Sequence, residues 1–334
     1  MRVLGIESSC DETACAIVED GRKILSNVVA TQSPFHQIYK GVVPEIASRK
    51  HAEWILPVVK EALNEASLSL DKIDAVAATN RPGLMGSLMV GLTFGKTLAW
   101  SINKPFIAVN HILAHLYASH LENDIPYPYI GLLVSGGHSI ISKVNGFDDL
   151  EILGTTIDDS VGEAFDKVAR VMGMPYPGGA AMDRLAYEGK AILPFPSAAI
   201  RDDSLDFSFS GIKTAVLNYI NSTSQKGEAL NCADVAASFC RAAVSSVSTK
   251  LSLAIDRNPD IKAVALAGGV AANSHLRDEI EKLCKSRGLE FFCPDKKYCG
   301  DNAVMIAAAG YFEYIKGDIA PLSLNAEAAR FEDV

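Results

Sequence analysis

One succession of predicted secondary-structure elements occurs twice along this chain, and it narrows the choice of folds. Residues 2–8 and 13–19 have the composition of β-strands and flank a polar turn, and a further strand and alternating helices and strands follow. The same order begins again at Tyr129, where two predicted strands flank a turn at Gly136-Gly137. Such a duplication predicts two related α/β domains with a cleft between them.

The repeated order also predicts where the domains lie in the sequence. We expect the first domain over residues 1–128 and the second over residues 129–334. The second half contains additional helical segments, so a helical insertion is expected at about residues 158–230. The C-terminal helix, which is predicted to end at Lys316, belongs to the second domain by sequence order, with packing back on the first domain as the alternative.

Composition and charge exclude several classes of protein. The chain has 334 residues, 49% of them hydrophobic, with 31 Lys and Arg against 40 Asp and Glu and a net charge of −9. This composition is too apolar for a disordered chain, and no uninterrupted apolar run is long enough for a membrane span. The first residues lack the apolar core of a secretory signal, so we expect a cytoplasmic protein. The acidic excess argues against binding nucleic acid through bulk charge, although a local basic patch remains compatible with it.

Two conspicuous patterns are not expected to bind a ligand. The seven cysteines form no Cys-x-x-Cys pair and lie in apolar surroundings, so they are interpreted as small buried residues and not as zinc ligands or a disulfide framework. The segment Gly91–Thr97 resembles a phosphate-binding P-loop, but three residues instead of four separate its glycines, and no strand precedes it. These glycines are expected to allow close packing of a helix.

His111 and His115 are candidate metal ligands. Their spacing of four residues places both side chains on one face of a helix, about 6 Å apart, which suits two imidazoles on one ion. The alternative of two partly exposed helix histidines stays open, because the local sequence offers no third ligand. Ile112 occupies the position of the glutamate that a zincin protease needs after its first histidine, which disfavours that class.

Polar turns form a second group of candidate sites. Glu7–Thr13 offers hydroxyl groups and carboxylates between two strands, and Val134–His138 offers glycines at the corresponding place in the second half. The segment Ala267–Asn273 leads from a buried strand through two glycines into a helix, so it directs backbone N–H groups towards a ligand. Ordinary tight turns are the alternative in each case. Asp301 precedes the last helix, and on local grounds it is interpreted as the helix cap.

Taken together, these segments closely resemble the successive signatures of one family, the tRNA threonylcarbamoyladenosine transferases or TsaD family. The resemblance runs in order from residue 3 to about residue 325. The segments that carry it are Gly5–Thr13, Val42–Arg49, Asn110-His111 with His115, Val134–His138, Gly162–Lys167, Tyr176–Gly179, Phe207–Thr214, Gly268–Asn273 and Cys299–Asn302.

The resemblance implies a fold, a reaction and partners. The fold is that of actin, the heat-shock chaperone ATPases and the sugar kinases, with two duplicated α/β domains and a central nucleotide cleft. The reaction is transfer of the threonylcarbamoyl group from threonylcarbamoyl-AMP to the N6 amine of the adenosine 3′ of the anticodon, in tRNAs that read ANN codons, with release of AMP. The implied partners are an inactive paralogue of the same fold and a P-loop ATPase, and no membrane is involved.

The resemblance also implies roles for individual residues. One divalent metal per subunit, Fe²⁺ or alternatively Zn²⁺, is expected on His111, His115 and Asp301. The residues expected against the adenylate and its acyl group are Leu133, Val134, Ser135, Gly136, Gly137 and His138. Those expected to line the adenine and ribose pocket are Asp166, Gly179, Asp183 and Asn273. Asp11 and Glu12 are candidates for assisting the incoming amine or orienting the metal ligands.

Three alternative functions are compatible with parts of the sequence. A small-molecule kinase of the same fold would leave the two histidines and Asp301 without a role. A non-catalytic paralogue would have a degraded metal site, and a metalloprotease lacks its glutamate. For binding of tRNA despite the acidic excess, we expect a local basic rim formed by Lys40, Arg49, Lys50 and Arg81, with weak and salt-sensitive binding by the isolated chain.

Overall fold

The computed structural model describes residues 1–147, 149–197 and 203–328. The chain forms two compact units. The first consists of Met1–Asn123 together with the chain from Asp301 onward, and the second is Asp124–Gly300. This division differs from the predicted ranges 1–128 and 129–334 in placing the C-terminal helix in the first unit. Part of the expected insertion at residues 158–230, namely residues 198–202, lies outside the described residues.

The first unit contains a mixed five-stranded sheet. Its strands are β1 (Arg2–Glu7), β2 (Glu12–Glu19), β3 (Lys23–Thr31), β4 (Ala75–Arg81) and β5 (Phe106–Asn110). They lie in the order β3-β2-β1-β4-β5, in which β1, β2 and β3 are antiparallel and β1, β4 and β5 are parallel. The central strand β1 is almost entirely buried, as its apolar sequence predicts for a strand covered on both faces.

Helices cover both faces of this sheet. They are α1 (Ser33–His36), α2 (Pro44–Glu65), α3 (Met85–Ser101), α4 (His111–Tyr117) and, from the end of the chain, α10 (Ala303–Lys316). Proline in the first turn begins α2, where its missing N–H costs no hydrogen bond. The buried side of α2 presents Ile55 and Val59 to a core that includes Ile6 of β1 and Phe106 of β5. Ile55 and Val59 are four residues apart, the spacing of an amphipathic helix.

The second unit repeats the topology of the first. Its strands are β6 (Tyr129–Val134), β7 (Ser139–Val144), β8 (Leu150–Thr155), β9 (Ala263–Ala267) and β10 (Glu290–Phe292). The order β8-β7-β6-β9-β10 has the same connectivity as β3-β2-β1-β4-β5, with antiparallel pairs β6–β7 and β7–β8 and parallel pairs β6–β9 and β9–β10. Its helices are α5 (Val161–Val171), α6 (Gly179–Ala186), α7 (Ser210–Gln225), α8 (Cys232–Arg257) and α9 (Ser274–Arg287). The predicted duplication of an α/β domain is therefore confirmed.

The glycines of Gly91–Thr97 and the cysteines, which are not expected to bind a ligand, have structural roles. Gly91 and Gly95 lie inside α3, where added methyl groups would overlap Ser8 and press on Ala78, so these glycines allow close packing as predicted. All seven cysteines are free, and four of them, Cys15, Cys240, Cys284 and Cys299, are buried. In the described parts of the chain, no helix combines the length and the apolar composition of a membrane span.

Candidate metal centre and substrate-binding residues

The two histidines are fixed at the start of α4, directly after strand β5. Asn110 caps this helix, because its side-chain oxygen accepts hydrogen bonds from the N–H groups of Ile112 at 2.8 Å and Leu113 at 3.3 Å. The rings of His111 and His115 lie with centroids 4.6 Å apart and planes nearly perpendicular. Both side chains are buried, with 7% and 1% exposure, so the alternative of partly exposed histidines is wrong.

Asp301 completes a cluster of three potential ligands. Its Oδ1 lies 3.1 Å from Nε2 of His115 and 3.6 Å from Nε2 of His111. One ligand atom from each of the three residues lies within 4.8 Å of the others. The helix cap is Asn302, whose side chain accepts the N–H of Met305 at 3.2 Å. The interpretation of Asp301 as the cap is therefore wrong, because the next residue has that role and the Asp301 carboxylate faces the histidines.

This donor set fits one divalent cation. Two imidazole nitrogens and a carboxylate oxygen form the three-ligand arrangement of many catalytic zinc and non-haem iron sites, which keep further positions open. The three side chains come from two elements of the same unit, α4 and the segment before α10. The buried Nδ1 of His115 has no hydrogen-bond partner, so this ring is held by packing and by its Nε2 side.

Glu7 contacts one of the two histidines, and the sequence did not predict this contact. It ends β1, is 0% exposed, and its Oε2 lies 3.1 Å from Nδ1 of His111. The Thr79 hydroxyl donates to the same oxygen at 2.6 Å, and the N–H of Ser9 donates to Oε1 at 2.5 Å. Burial opposes a charge on His111, but the carboxylates of Glu7 and Asp301 outweigh it and raise the pKa of His111 to about 9. An acid directly after the apolar residues Val3–Ile6 marks Glu7 in the sequence, but its contact with His111 has no local signal.

Asp11 lies on the turn between β1 and β2, and Glu12 is the first residue of β2. Asp11 is buried, and Glu12 accepts a hydrogen bond from the Thr31 hydroxyl at 3.2 Å. Burial and the adjacent Asp11 raise the pKa of Glu12 well above its ordinary value. The ring of His51 contacts this segment at two points. Its Nδ1 lies 2.8 Å from the Thr13 hydroxyl, and its Nε2 lies 3.0 Å from the carbonyl oxygen of Cys10.

The glycine turn of the second unit is open on one side. The Ser135 hydroxyl oxygen accepts the N–H groups of Gly137 at 3.3 Å and His138 at 3.0 Å. A methyl group added at Gly136 or Gly137 would meet no atom within 4 Å, so a ligand has room to approach the backbone there. The side chains of Leu133 and Val134 are fully buried in β6. These two residues can contact a ligand only through their backbone.

Of the four further predicted residues in this unit, three have defined hydrogen-bond partners. Asp166 accepts the N–H of Gly178 at 2.7 Å, which holds the start of α6, and Gly179 faces open space. Asp183 accepts the N–H of Ser274 and lies 2.9 Å from Nδ1 of His275. Asn273 caps α9 by accepting the N–H of Leu276 at 2.9 Å. The structure thus links Asp183 to the segment that carries Asn273, and both residues are nearly buried.

The residues of the expected basic rim are largely neutralised. Arg49 pairs with Glu45 at 2.8 Å, Lys50 with Glu53 at 2.6 Å, and Arg81 with Glu327 at 3.6 Å. Lys50 also lies over the rings of Phe35 and Trp54. Within the described part of the chain, Lys40 forms no ion pair. A nearby acid offsets the positive charge at three of the four positions.

Comparison with known sequences identifies the family. A model of the TsaD family, described as tRNA N6-adenosine threonylcarbamoyltransferase, matches residues 23–308. The chain is 60% identical over 332 residues to the tRNA N6-adenosine threonylcarbamoyltransferase of Treponema denticola, covering 98% of this chain and 97% of the relative. It is 50% identical over 326 residues to the enzyme of the same name from Moorella thermoacetica, covering 97% and 95%.

Comparison with solved structures identifies the fold. HypF in its phosphate- and nucleotide-bound form superposes with a TM-score of 0.61 at 15% identity, over 94% of this chain and 46% of HypF. Component A of the Acidaminococcus fermentans (R)-2-hydroxyglutaryl-CoA dehydratase superposes with a TM-score of 0.56 at 16% identity, over 94% of this chain and 99% of that protein. These similarities concern the fold alone, and they confirm the predicted duplicated architecture of actin, the chaperone ATPases and the sugar kinases. With a family model over most of its length and relatives of the same name across nearly all of it, the chain belongs to the TsaD family of tRNA N6-adenosine threonylcarbamoyltransferases.

Proposed function

We propose that this enzyme transfers the threonylcarbamoyl group from threonylcarbamoyl-AMP to the N6 amine of the adenosine 3′ of the anticodon, in tRNAs that read ANN codons, and releases AMP. The observation that carries the proposal is the cluster of the buried His111 and His115 with the partly buried Asp301 in a chain of this family. A small-molecule kinase gives this cluster no role. A non-catalytic paralogue has no need to keep three ligands together, and Ile112 stands where a zincin protease needs its base.

The metal part of the proposal assigns one divalent cation per subunit to His111, His115 and Asp301, with Fe²⁺ as the first choice and Zn²⁺ as the alternative. When bound, such a cation supplies Lewis-acid polarisation of an acyl oxygen. The ligands suit this use because their three atoms leave coordination positions for a substrate.

We assign binding of the adenylate to the second unit. The open backbone at Gly136 and Gly137, next to Ser135 and His138, can bind the phosphate or the acyl carbonyl through N–H groups. The carboxylates of Asp166 and Asp183 can accept hydrogen bonds from ribose hydroxyls. Gly179, which faces open space, and Asn273 border the place of the base. Leu133 and Val134 contribute backbone only, since their side chains are buried.

The reaction needs a proton acceptor because the N6 amine is a weak nucleophile. The amine nitrogen forms a bond to the carbamoyl carbon, and the bond from that carbon to the phosphate oxygen breaks with its electron pair leaving on AMP. The nitrogen loses one proton, and we assign that proton to Glu12. The raised pKa of Glu12 makes it a better base than an exposed carboxylate, and Asp11 beside it maintains that property.

Partners complete the proposal. Because the chain carries a charge of −9 and three of its four candidate rim cations are paired with acids, further cationic surface for tRNA has to come from other proteins. We propose that these other proteins are an inactive paralogue of the same fold and a P-loop ATPase. Since tRNA is the substrate, we place the reaction in the cytoplasm.

The decisive experiment supplies the chain with threonylcarbamoyl-AMP and an ANN-decoding tRNA, with and without the two partners, and measures modified adenosine by nucleoside mass spectrometry. We expect threonylcarbamoyladenosine at the adenosine 3′ of the anticodon and release of AMP. His111→Ala and His115→Ala should lose both bound metal and transfer, whereas His120→Asn, from the segment that follows α4, should keep both. Normal transfer by the two metal-free variants would overturn the metal assignment. Phosphate transfer from ATP to a sugar or carboxylic acid, without tRNA modification, would favour a kinase.

A further inference from the structure

The side chain of Glu7 is fully buried and charged, yet none of the described residues pairs it with lysine or arginine. Its described partners are the hydroxyl of Thr79, the N–H of Ser9 and Nδ1 of His111. A buried carboxylate is costly unless it is well hydrogen-bonded and balanced by opposite charge. Two neutral donors fix this carboxylate, and its third partner, the His111 ring, connects it to the cluster of His111, His115 and Asp301.

The geometry around His111 shows how Glu7 acts on the ring. Nδ1 of His111 lies 3.1 Å from Oε2 of Glu7, and the Ser9 hydroxyl lies 3.2 Å from the same nitrogen. Nε2, on the far side of the ring, lies 3.6 Å from Oδ1 of Asp301. A carboxylate that accepts a proton from Nδ1 leaves the lone pair of Nε2 directed at the ligand cluster, which is the arrangement of metal-binding histidines.

His115 has no comparable support. Its Nε2 lies 3.1 Å from Oδ1 of Asp301, but its buried Nδ1 has no hydrogen-bond partner. Among the described contacts, Glu7 therefore hydrogen-bonds with only one histidine of the pair. Thr79, on the neighbouring strand β4, fixes the Glu7 oxygen that faces His111, so the adjacent strands β1 and β4 together set the position of that ring.

We propose that Glu7 is a positioning residue of the metal centre, which fixes His111 with its proton on Nδ1 and supplies the second negative charge that balances a divalent ion. This inference rests on the metal part of the proposed function. With the carboxylates of Glu7 and Asp301 and two neutral imidazoles, the cluster has a charge of −2, which a dication neutralises inside a buried site.

The first test measures metal affinity without reference to activity. Zn²⁺ and Co²⁺ affinities of the full-length chain are determined by competition with a chelator for the wild type, Glu7→Gln and the control Glu19→Gln. Glu19 ends the neighbouring strand β2, and its partners are Arg2 and Lys23. We expect Glu7→Gln to bind about 10- to 100-fold more weakly and Glu19→Gln to match the wild type. Unchanged affinity in Glu7→Gln would overturn the proposal.

A second variant keeps the inference testable if Glu7→Gln does not fold. Thr79→Val keeps the charge of Glu7 and nearly the shape of Thr79, but removes the donor that holds the carboxylate. We expect weaker metal binding with a native circular dichroism spectrum. In the Zn²⁺-bound wild type, ¹⁵N NMR of labelled histidine should find the His111 proton on Nδ1, and a proton on Nε2 would contradict the proposal.

The outcomes separate this inference from the proposed function. A wild-type chain that binds no metal would overturn both the metal assignment and the role of Glu7. A wild type that binds one metal and loses transfer in His111→Ala, together with full affinity in Glu7→Gln and Thr79→Val, would overturn the role of Glu7 alone. Transfer of the threonylcarbamoyl group is measured separately and bears on the reaction itself.

Discussion

The environment that raises the pKa of Glu12, and so suits it to act as a base, also lowers the stability of the fold. Its pKa is raised by burial and by the charge of Asp11, so the native state binds the Glu12 proton more tightly than the unfolded chain does. Its contribution to stability is therefore complete below the ordinary pKa of 4.5 and is lost as the pH rises through the raised value. Above the raised pKa, the charged side chain destabilises the fold.

From this we expect Glu12→Gln to melt at a higher temperature than the wild type at pH 7 to 8, with no difference near pH 4. The same variant should lose about 10²- to 10⁴-fold in kcat, the usual effect of removing a general base. Glu19→Gln, at the other end of β2, should change stability in the opposite direction, because hydrogen bonds from Lys23 and Arg2 lower the pKa of Glu19. Thermal melts across the pH range and single-turnover kinetics check both parts, and unaltered kcat would exclude Glu12 as the base.

The sequence predicts individual site residues to different extents. The spacing of His111 and His115 identifies a candidate pair without any family comparison, whereas the third ligand is 186 residues from His115 and enters only through the resemblance. Local sequence misplaces Asp301, because Asp and Asn both cap helices and the pair Asp301-Asn302 offers two candidates. Glu7 escapes prediction because its role depends on contacts from β4 and α4, which no local pattern records.

Among the elements of the first unit, β1 and α10 are in close backbone contact. A Cβ added to Gly5 would lie 2.6 Å from the carbonyl oxygen of Ala303 and 2.6 Å from the nitrogen of Ala307. Both contacts are with helix backbone, which cannot move aside as a flexible side chain can. Gly310 of the same helix approaches Ala77 of β4 in the same way.

We expect Gly5→Ala to lower the free energy of unfolding by about 1–3 kcal/mol, as overpacking of a dense core does. The matched control is Gly211→Ala near the start of α7, where an added Cβ meets no atom within 4 Å. That substitution should be neutral or stabilise the protein by up to about 1 kcal/mol, since alanine restricts the unfolded chain. Denaturant titrations of both variants provide the measurement, and equal stability of the two would contradict this account of the β1–α10 contact.

Periodicity predicts well whether a segment forms a helix or a strand. The residues at which a helix begins and ends depend on its caps. The predicted helix over residues 232–257 matches α8 at both ends, since Asn231 caps it and its apolar face is long. A helix is predicted over residues 272–287, but α9 begins at Ser274, because Gly269–Ala272 forms a 3₁₀ turn and Asn273 is the cap. The short helix α1 is absent from the prediction, since four residues are too few for a periodic pattern.

At the scale of the whole molecule, the net charge predicts how strongly the isolated chain binds tRNA. Its net charge is −9, and three of the four candidate rim cations are offset by Glu45, Glu53 and Glu327. Few phosphates can then be neutralised, so binding should be weak and should fall further as salt is raised. Addition of the partner proteins should strengthen binding and steepen its dependence on salt.

Electrophoretic mobility or fluorescence anisotropy between 50 and 200 mM salt, a range over which phosphate contacts weaken strongly, provides the measurement. Lys40 is in the left-handed backbone region, so Lys40→Gly removes its charge without straining the chain. If Lys40 contacts a phosphate, this variant should reduce the slope of log affinity against log salt by about one. Tight, salt-insensitive binding by the isolated chain would contradict the charge argument.

The first unit is formed by two stretches of the chain that are separated by the whole second unit, and this determines the order in which its parts are synthesised. A ribosome makes His111 and His115 early, then all of Asp124–Gly300, and only afterwards Asp301 and α10. A nascent chain therefore carries His111 and His115 through the synthesis of the whole second unit before it gains Asp301. If these three residues hold a metal ion as proposed, the ligand set is complete only after the second unit has been made, so a fragment that ends before Asp301 retains both histidines but lacks the third ligand.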